Sequence, residues 1–380
     1  MADDKNMKVL FLTNHLRGDD GLSKVSLDFA EELQNLGHDV LCLTHEKSHQ
    51  TKIKEVLVLD NLLKYLANPL VAFLTAIRIR KIVQNFSPDI IHFMEGSYAN
   101  ILPFLKTKKA KTCITVHGTY SVIPILFKSF FKKTISSYLS KSYYQKVDGI
   151  AAVSNYTKNH LLKYYPWLKP KTKVITNGVD LAREQLIDLE KKPKNEIKKI
   201  LFVGAIKERK GILEAIEACR YYRDNFSRHF IYDIVGDYNQ NDDYYQKVIK
   251  RVKDYNLDDK IIFRGRATGA KKQEYYLNAD LFMMLSVNIN NNFEGFGLVF
   301  LEANAKGVPC IGGKDSGCQE AIIDGETGYV VDPLNPKEAA QKMDLILNRN
   351  AIKPENCLNW AKQNDIKIKA KELVNFYQSL

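Results

Sequence analysis

The chain has 380 residues, of which 45% are hydrophobic and 26% charged. This balance excludes a disordered or collagen-like chain and leaves apolar material for two cores of ordinary domain size. Lys and Arg number 56 against 44 Asp and Glu, a net charge of +12, which suits anionic partners: phosphates, nucleic acid or an acidic membrane surface.

The chain reads as strand, loop and helix in repetition. Lys8-Val-Leu-Phe-Leu-Thr13 is a continuous apolar run, the pattern of a strand covered on both faces. A loop containing Gly18 and Gly21 follows, then a helix with Val25, Leu27, Phe29, Ala30, Leu33 and Leu36 on its apolar face, stopped by Gly37. Residues 39–44 form the next strand, which completes a βαβ unit and predicts a parallel sheet. Further strands are predicted at 89–93, 112–116, 149–153 and 173–176. The charged, Pro-containing run 188–196 reads as a linker. Strands resume at 199–204, 231–236, 261–265, 281–285 and 308–313, and the last stretch, 356–380, reads as a helix anchored by Trp360, Leu373, Val374 and Phe376. The expectation is two doubly wound α/β domains, 1–187 and 188–359, facing each other across a cleft, with the helix at about 360–380 packed back on the first.

Ligands of such sheets bind beyond the carboxyl ends of the strands. Two loops there carry chemistry. In Gly204-Ala-Ile-Lys-Glu-Arg-Lys-Gly211, Arg209 and Lys210 stand just before a helix N-terminus. Together they make either a diphosphate site or a solvated basic turn. In the second loop Gly295 and Gly297 allow a ligand to approach the backbone closely, and a helix over 298–306 closes at Gly307. Glu294 lies before that helix and Glu302 within it, eight positions apart. They could flank one elongated ligand and accept hydrogen bonds from sugar hydroxyls, or Glu302 could be an exposed helix residue.

The Glu294–Glu302 spacing meets an E-x7-E pattern. With it come Gly307-Val-Pro-Cys-Ile-Gly-Gly313, Ser316-Gly-Cys-Gln-Glu320 and Asp324-Gly-Glu-Thr-Gly-Tyr329. Upstream stand Leu36-Gly-His-Asp-Val40, Val116-His-Gly118, Ala152-Val-Ser-Asn-Tyr-Thr-Lys158 and Val174-Ile-Thr-Asn-Gly-Val-Asp180. This ordered set resembles the family-4 retaining glycosyltransferases of GT-B architecture, over most of the chain. The resemblance implies transfer of a hexosyl unit from a nucleotide-diphosphate sugar (UDP- or GDP-sugar) to a hydroxyl of a glycan or lipid-linked saccharide. It implies retention of anomeric configuration, no metal and no cofactor besides the donor substrate. By position, Glu294 would meet the donor sugar, Glu302 the ribose and Lys210 the diphosphate. The segment Gly295, Phe296, Gly297 and Leu298 would offer backbone contacts, Arg266 would lie near the base, Gly21 near the phosphates, and His117 near the reacting sugar. Taken by itself, His117 is equally a structural residue after a strand. Many members carry Gly-Arg where this chain has Gly204-Ala205, so Arg209 becomes the substitute phosphate ligand.

Between Gly96 and Val147 nine lysines stand with no acidic residue, +9 of the net +12. Within 124–147, Phe127, Phe130, Phe131, Tyr138 and Leu139 interleave with Lys128, Lys132 and Lys133. This is the pattern of an interfacial helix on an anionic membrane, or of a half-buried helix with snorkelling lysines. No nucleic-acid motif accompanies the charge. The longest run without a charge, 112–127, is shorter than the roughly 20 residues of a membrane span. The polar, acidic start Met-Ala-Asp-Asp-Lys-Asn is unlike a secretory leader. Cys42, Cys113, Cys219, Cys310, Cys318 and Cys357 form no C-x-x-C pair, so buried thiols of a cytoplasmic protein, peripheral on the inner face of the plasma membrane, are expected. Two other classes compete with this reading. One is a silent nucleotide-sugar-binding subunit, for which Ala205 speaks. The other is a dinucleotide dehydrogenase, against which stands the lack of G-x-G-x-x-G after the first strand.

Overall fold

The computed structural model describes residues 6–48, 51–107, 109–193 and 195–380. Most of the acidic N-terminal start, Lys108 of the lysine-rich stretch and Lys194 of the charged run lie outside them. The chain divides into two compact units: residues up to Gly178 together with Ile366–Leu380, and Val179–Asp365. The division therefore falls before the charged run and not at 187/188. That run belongs to the second unit: Lys192 Nζ donates to the Gly307 carbonyl at 3.1 Å, and Asn195 Nδ2 to the Asn278 carbonyl at 2.8 Å.

Among the described residues the first unit is built on seven strands: β1 (Lys8–Leu12), β2 (Asp39–Thr44), β3 (Lys54–Leu57), β4 (Ile90–Phe93), β5 (Lys111–Val116), β6 (Gly149–Ala152) and β7 (Thr172–Val174). They pair in the order β3-β2-β1-β4-β5-β6-β7, all parallel. The central strands are buried along nearly their whole length, which is why they read as largely apolar runs. The helix Gly21–Asn35 begins with a capping box: Asp20 accepts from the N–H of Leu22 and Ser23, and the Ser23 hydroxyl accepts from the Asp20 N–H.

The second unit has six described strands: β8 (Lys198–Val203), β9 (Phe230–Val235), β10 (Ile261–Gly265), β11 (Leu281–Met284), β12 (Cys310–Gly313) and β13 (Gly328–Val331). Their order is β10-β9-β8-β11-β12-β13, again all parallel. Strands β3 and β13 were absent from the sequence expectation.

The expected C-terminal helix is two helices. Pro354–Gln363 stays with the second unit, where Trp360 Nε1 donates to the Ala321 carbonyl at 3.0 Å. Ile366–Gln378 returns to the first, packing on the helix Gly21–Asn35, with the Tyr377 hydroxyl bonded to His92 Nδ1 on β4. At the foot of β6 a Cβ on Gly149 would lie 2.4 Å from Leu380 and 2.7 Å from Phe376, so only glycine lets this segment seat. Between the two helices the chain changes unit. Val179 pairs with Asp365 in a parallel bridge and donates to the Asn364 carbonyl at 2.9 Å. On the first unit's side, a Cβ on Gly178 would meet the Ile366 Cα at 2.6 Å.

All six cysteines are buried and unpaired. No helix among the described residues is long and apolar enough to cross a membrane.

Candidate functional site

A doubly wound sheet opens a crevice at its carboxyl edge where the strand order reverses. In the second unit that point lies between β8 and β11, each of which starts a run outward in the opposite direction. The loop after β8 carries Arg209 and Lys210; the loop after β11 carries Glu294. Their backbones are stitched together. Val287 N–H donates to the Arg209 carbonyl at 3.0 Å. Gly211 sits at φ +67°, where a Cβ would fall 1.6 Å from the Leu285 carbonyl oxygen.

Across this junction Arg209 Nη1 and Lys210 Nζ both donate to one oxygen, Glu294 Oε2, at 2.5 and 2.6 Å. The side chains of Lys210 and Glu294 are 13% and 14% exposed and that of Arg209 is 31%, so the cluster is shielded yet reachable. Burial by itself would favour the protonated acid at Glu294. The charges of Lys210 and Arg209, and the hydrogen bonds they donate, outweigh it and hold the carboxyl at about 2. The Glu294 carbonyl accepts from the Gly317 N–H at 2.8 Å. Gly317 itself has no room for a side chain, because a Cβ would sit 1.9 Å from the Gly295 carbonyl oxygen. The motif at 316–320 thus buttresses the Glu294 loop from behind.

Gly297, at φ +83°, caps the helix Leu298–Asn304, which ends before the expected residue 306. Phe296 and Leu298 are buried. Glu302 is 1% exposed and engaged: Lys272 Nζ lies 2.8 Å from its Oε2 and 3.0 Å from its Oε1, and the Tyr276 hydroxyl donates at 2.8 Å. The reading of Glu302 as an exposed helix residue is therefore wrong. The two glutamates hold different partners. Arg266, after β10, is half exposed and 3.5 Å from Asp237. Lys272 and Tyr276, on the helix Gly269–Asn278, were missed; 30 and 26 positions from Glu302, they leave no pattern in the sequence.

In the first unit the reversal lies between β1 and β4. His117, just past β5, donates from Nε2 to the Met94 carbonyl at 2.9 Å. A carbonyl only accepts, so Nε2 carries the hydrogen and Nδ1 keeps its lone pair. Burial lowers its pKa to about 4, partly offset by that carbonyl, so the ring is neutral at pH 7 and serves as a hydrogen-bond acceptor. Gly21 opens its helix, but the amides beyond it are already taken by Asp20.

Glu95 stands two residues past β4 and was not singled out in the sequence. Its Oε1 accepts from the Thr13 hydroxyl at 2.9 Å and the Asn14 N–H at 3.2 Å. Its Oε2 has no hydrogen-bond partner among the described residues. Burial raises this carboxyl to about 8 against those two bonds, so it keeps its proton at neutral pH. Glu95 and His117 line one cavity of about 20 Å³ with Leu22, Leu62, Gly96, Ser97 and Val116, room for a single water-sized group. His15, Asp19 and Asp20 bring potential metal-ligand atoms within 4.8 Å of one another. Arg17, 3.4 Å from His15 Nε2 and 3.4 Å from Asp19, already places a cation in that group.

Residues 184–365 match the family described as glycosyl transferases group 1, and residues 20–183 match glycosyltransferase family 4. An uncharacterised 41.2 kDa protein in the cps region of Klebsiella pneumoniae is 28% identical over 309 residues, 76% of this chain and 77% of that one. Among solved structures, a glycosyltransferase from Rickettsia africae superposes over 99% of both chains with a TM-score of 0.77 at 22% identity. Anabaena HepE, solved with UDP-glucose, superposes over 99% of this chain and 100% of its own with a TM-score of 0.75 at 18% identity. With the two parallel sheets, these matches establish the chain as a glycosyltransferase of the group-1, family-4 class with the GT-B fold.

Proposed function

We propose that the protein is a retaining hexosyltransferase. It takes a sugar from a uridine or guanosine diphosphate donor and delivers it to a hydroxyl of a glycan or lipid-linked saccharide in bacterial surface polysaccharide or glycolipid synthesis. The observation that carries this reading is the Arg209–Lys210–Glu294 cluster at the reversal point of the second sheet. HepE, with its bound UDP-glucose, supports the donor class, and the cps-region relative supports the surface-glycan setting.

As the bond from the sugar to the diphosphate lengthens, negative charge gathers on the leaving oxygen. Lys210 brings a point charge to that oxygen and Arg209 a planar fork, so the charge is met by side chains fixed beforehand. No general acid is then needed for departure, and no resident metal or cofactor is invoked. Arg209 takes the place of the arginine missing at Ala205. Glu294 is assigned to the sugar hydroxyls and not to nucleophilic attack. His117 Nδ1 offers an acceptor to a sugar hydroxyl. Lys210→Ala should weaken donor binding by roughly 1.5–3 kcal/mol, one charge-assisted hydrogen bond. The anomeric configuration of the product, read by NMR, tests retention. Wild-type donor affinity in Lys210→Ala, or an inverted product, contradicts the reading. Silence toward both transfer and donor hydrolysis, with nucleotide still bound, would favour the subunit that Ala205 suggests.

The acceptor side of this reading is a protein that works peripherally on the inner face of the plasma membrane. The segment 124–147 is not one helix: a 3-10 turn runs to Leu126, and the helix is Phe130–Lys146. Leu139 is buried, whereas Phe130, Phe131 and Tyr138 are 85%, 73% and 75% exposed beside exposed Lys128, Lys132, Lys133 and Lys141. The helix Pro69–Phe86 adds Leu70, Phe73, Leu74 and Ile77, exposed at i, i+3, i+4 and i+7. Exposed apolar side chains among lysines with no acid nearby in the sequence suit an anionic bilayer.

A further inference from the structure

The residues assigned to the diphosphate are not waiting empty-handed. Arg209 and Lys210 both point to one carboxylate oxygen, at 2.5 and 2.6 Å. Two cations converging on one oxygen is the arrangement a phosphate oxygen would adopt there. We propose that Glu294 is a tethered stand-in for the diphosphate: it holds Arg209 and Lys210 in the free enzyme, yields them to the donor, and reclaims them as the nucleoside diphosphate leaves. This rests on the reading above, in which Arg209 and Lys210 take the diphosphate.

The physical case concerns what Glu294 loses and gains. Its side chain is 14% exposed, so a carboxylate stripped of both cations is poorly hydrated and costly. A sugar-bearing donor supplies replacement partners, because its hydroxyls donate hydrogen bonds to the released carboxylate. The product, lacking the sugar, takes the cations and offers nothing in return. Glu294 therefore penalises the product more than the donor and drives its release, using the same carboxylate assigned to the sugar hydroxyls. The loops are stiff enough for such an exchange to be local. The Val287–Arg209 backbone bond and the close packing of Gly211 on Leu285 fix one side. Gly317 under Gly295 fixes the other.

The test is calorimetric titration of the full chain with inorganic pyrophosphate, which carries neither base nor sugar. Glu294→Gln keeps the shape and removes the competing charge; it should bind pyrophosphate roughly 10- to 100-fold more tightly than wild type, the equivalent of one charge-assisted hydrogen bond. Glu294→Asp keeps the charge and should stay nearer to wild type than to Glu294→Gln. Lys210→Ala should lose affinity, which separates the two claims. If Lys210→Ala weakens binding but Glu294→Gln binds no more tightly than wild type, the diphosphate seat stands and the exchange is refuted. If Glu294→Asp tightens binding as much as Glu294→Gln, charge competition is likewise refuted. If pyrophosphate binds no form of the protein, the seat fails and the exchange falls with it. Circular dichroism of each variant confirms that the comparison is between folded chains.

Discussion

Replacing Gly211 by alanine tests whether the junction of the β8 and β11 loops organises the site. The residue sits at φ +67°, a left-handed conformation that costs a side-chain-bearing residue about 1–2 kcal/mol. A second cost is contact. The new Cβ would lie 1.6 Å from the Leu285 carbonyl oxygen, against an ordinary contact of 3.4 Å or more, so the loops must part by 3.4 − 1.6 = 1.8 Å. A separation of that size breaks the 3.0 Å bond from Val287 to the Arg209 carbonyl, which adds about 1 kcal/mol. The sum is about 2–3 kcal/mol, a fall in melting temperature of roughly 4–12 °C for a unit of this size. The same displacement carries Arg209 and Lys210 out of the diphosphate seat proposed for them, so pyrophosphate affinity should fall together with stability. Differential scanning calorimetry and titration on one preparation read both. A variant that melts within a degree of wild type and binds pyrophosphate equally well would show that the loops yield freely, and would refute the argument.

Glu95 makes the first unit's stability depend on pH. Its carboxyl holds a proton up to about pH 8 when folded, against an ordinary value of 4.5. The folded chain therefore binds more protons than the unfolded chain between those values, and stability falls as pH rises through that window. Glu95→Gln should remove this part of the slope; equal losses of urea midpoint from pH 5 to pH 9 in wild type and variant would contradict it. Phe130→Ser combined with Phe131→Ser should abolish co-sedimentation with anionic vesicles at low salt while leaving the fold intact. Retained sedimentation, or none by the wild type, ends the membrane reading.

Much of the fold was legible because a largely buried parallel strand carries a run of apolar residues, as in β1, β2 and β8. β3 was not legible: it is an edge strand, half exposed and carrying Lys54 and Glu55, so neither a run nor an alternation marks it. β13 hid inside a glycine-rich motif. Arg209, Lys210 and Glu294 could be singled out because each stands within two residues of a glycine in a loop that follows a strand. Their convergence on one oxygen could not, since it depends on β8 and β11 being neighbours 81 positions apart in register, Leu281 beside Ile200 and Phe282 beside Leu201, once the sheet has formed. The same holds for Glu95, whose partners Thr13 and Asn14 follow β1, the neighbour of β4 in the sheet. The charged run 188–196 misled because composition reports exposure to water, whereas the passage between units is set by backbone packing at Gly178 and Ile366.

The way the chain passes between its units has a consequence for how such an enzyme can be rebuilt. Val179–Asp365 is one uninterrupted insert whose ends are bridged to each other, and the residues flanking it, Gly178 and Ile366, already abut. Cutting out the insert would leave a gap that a single peptide linkage can close, so the second unit could be exchanged as a cassette without re-routing the strand order of the first.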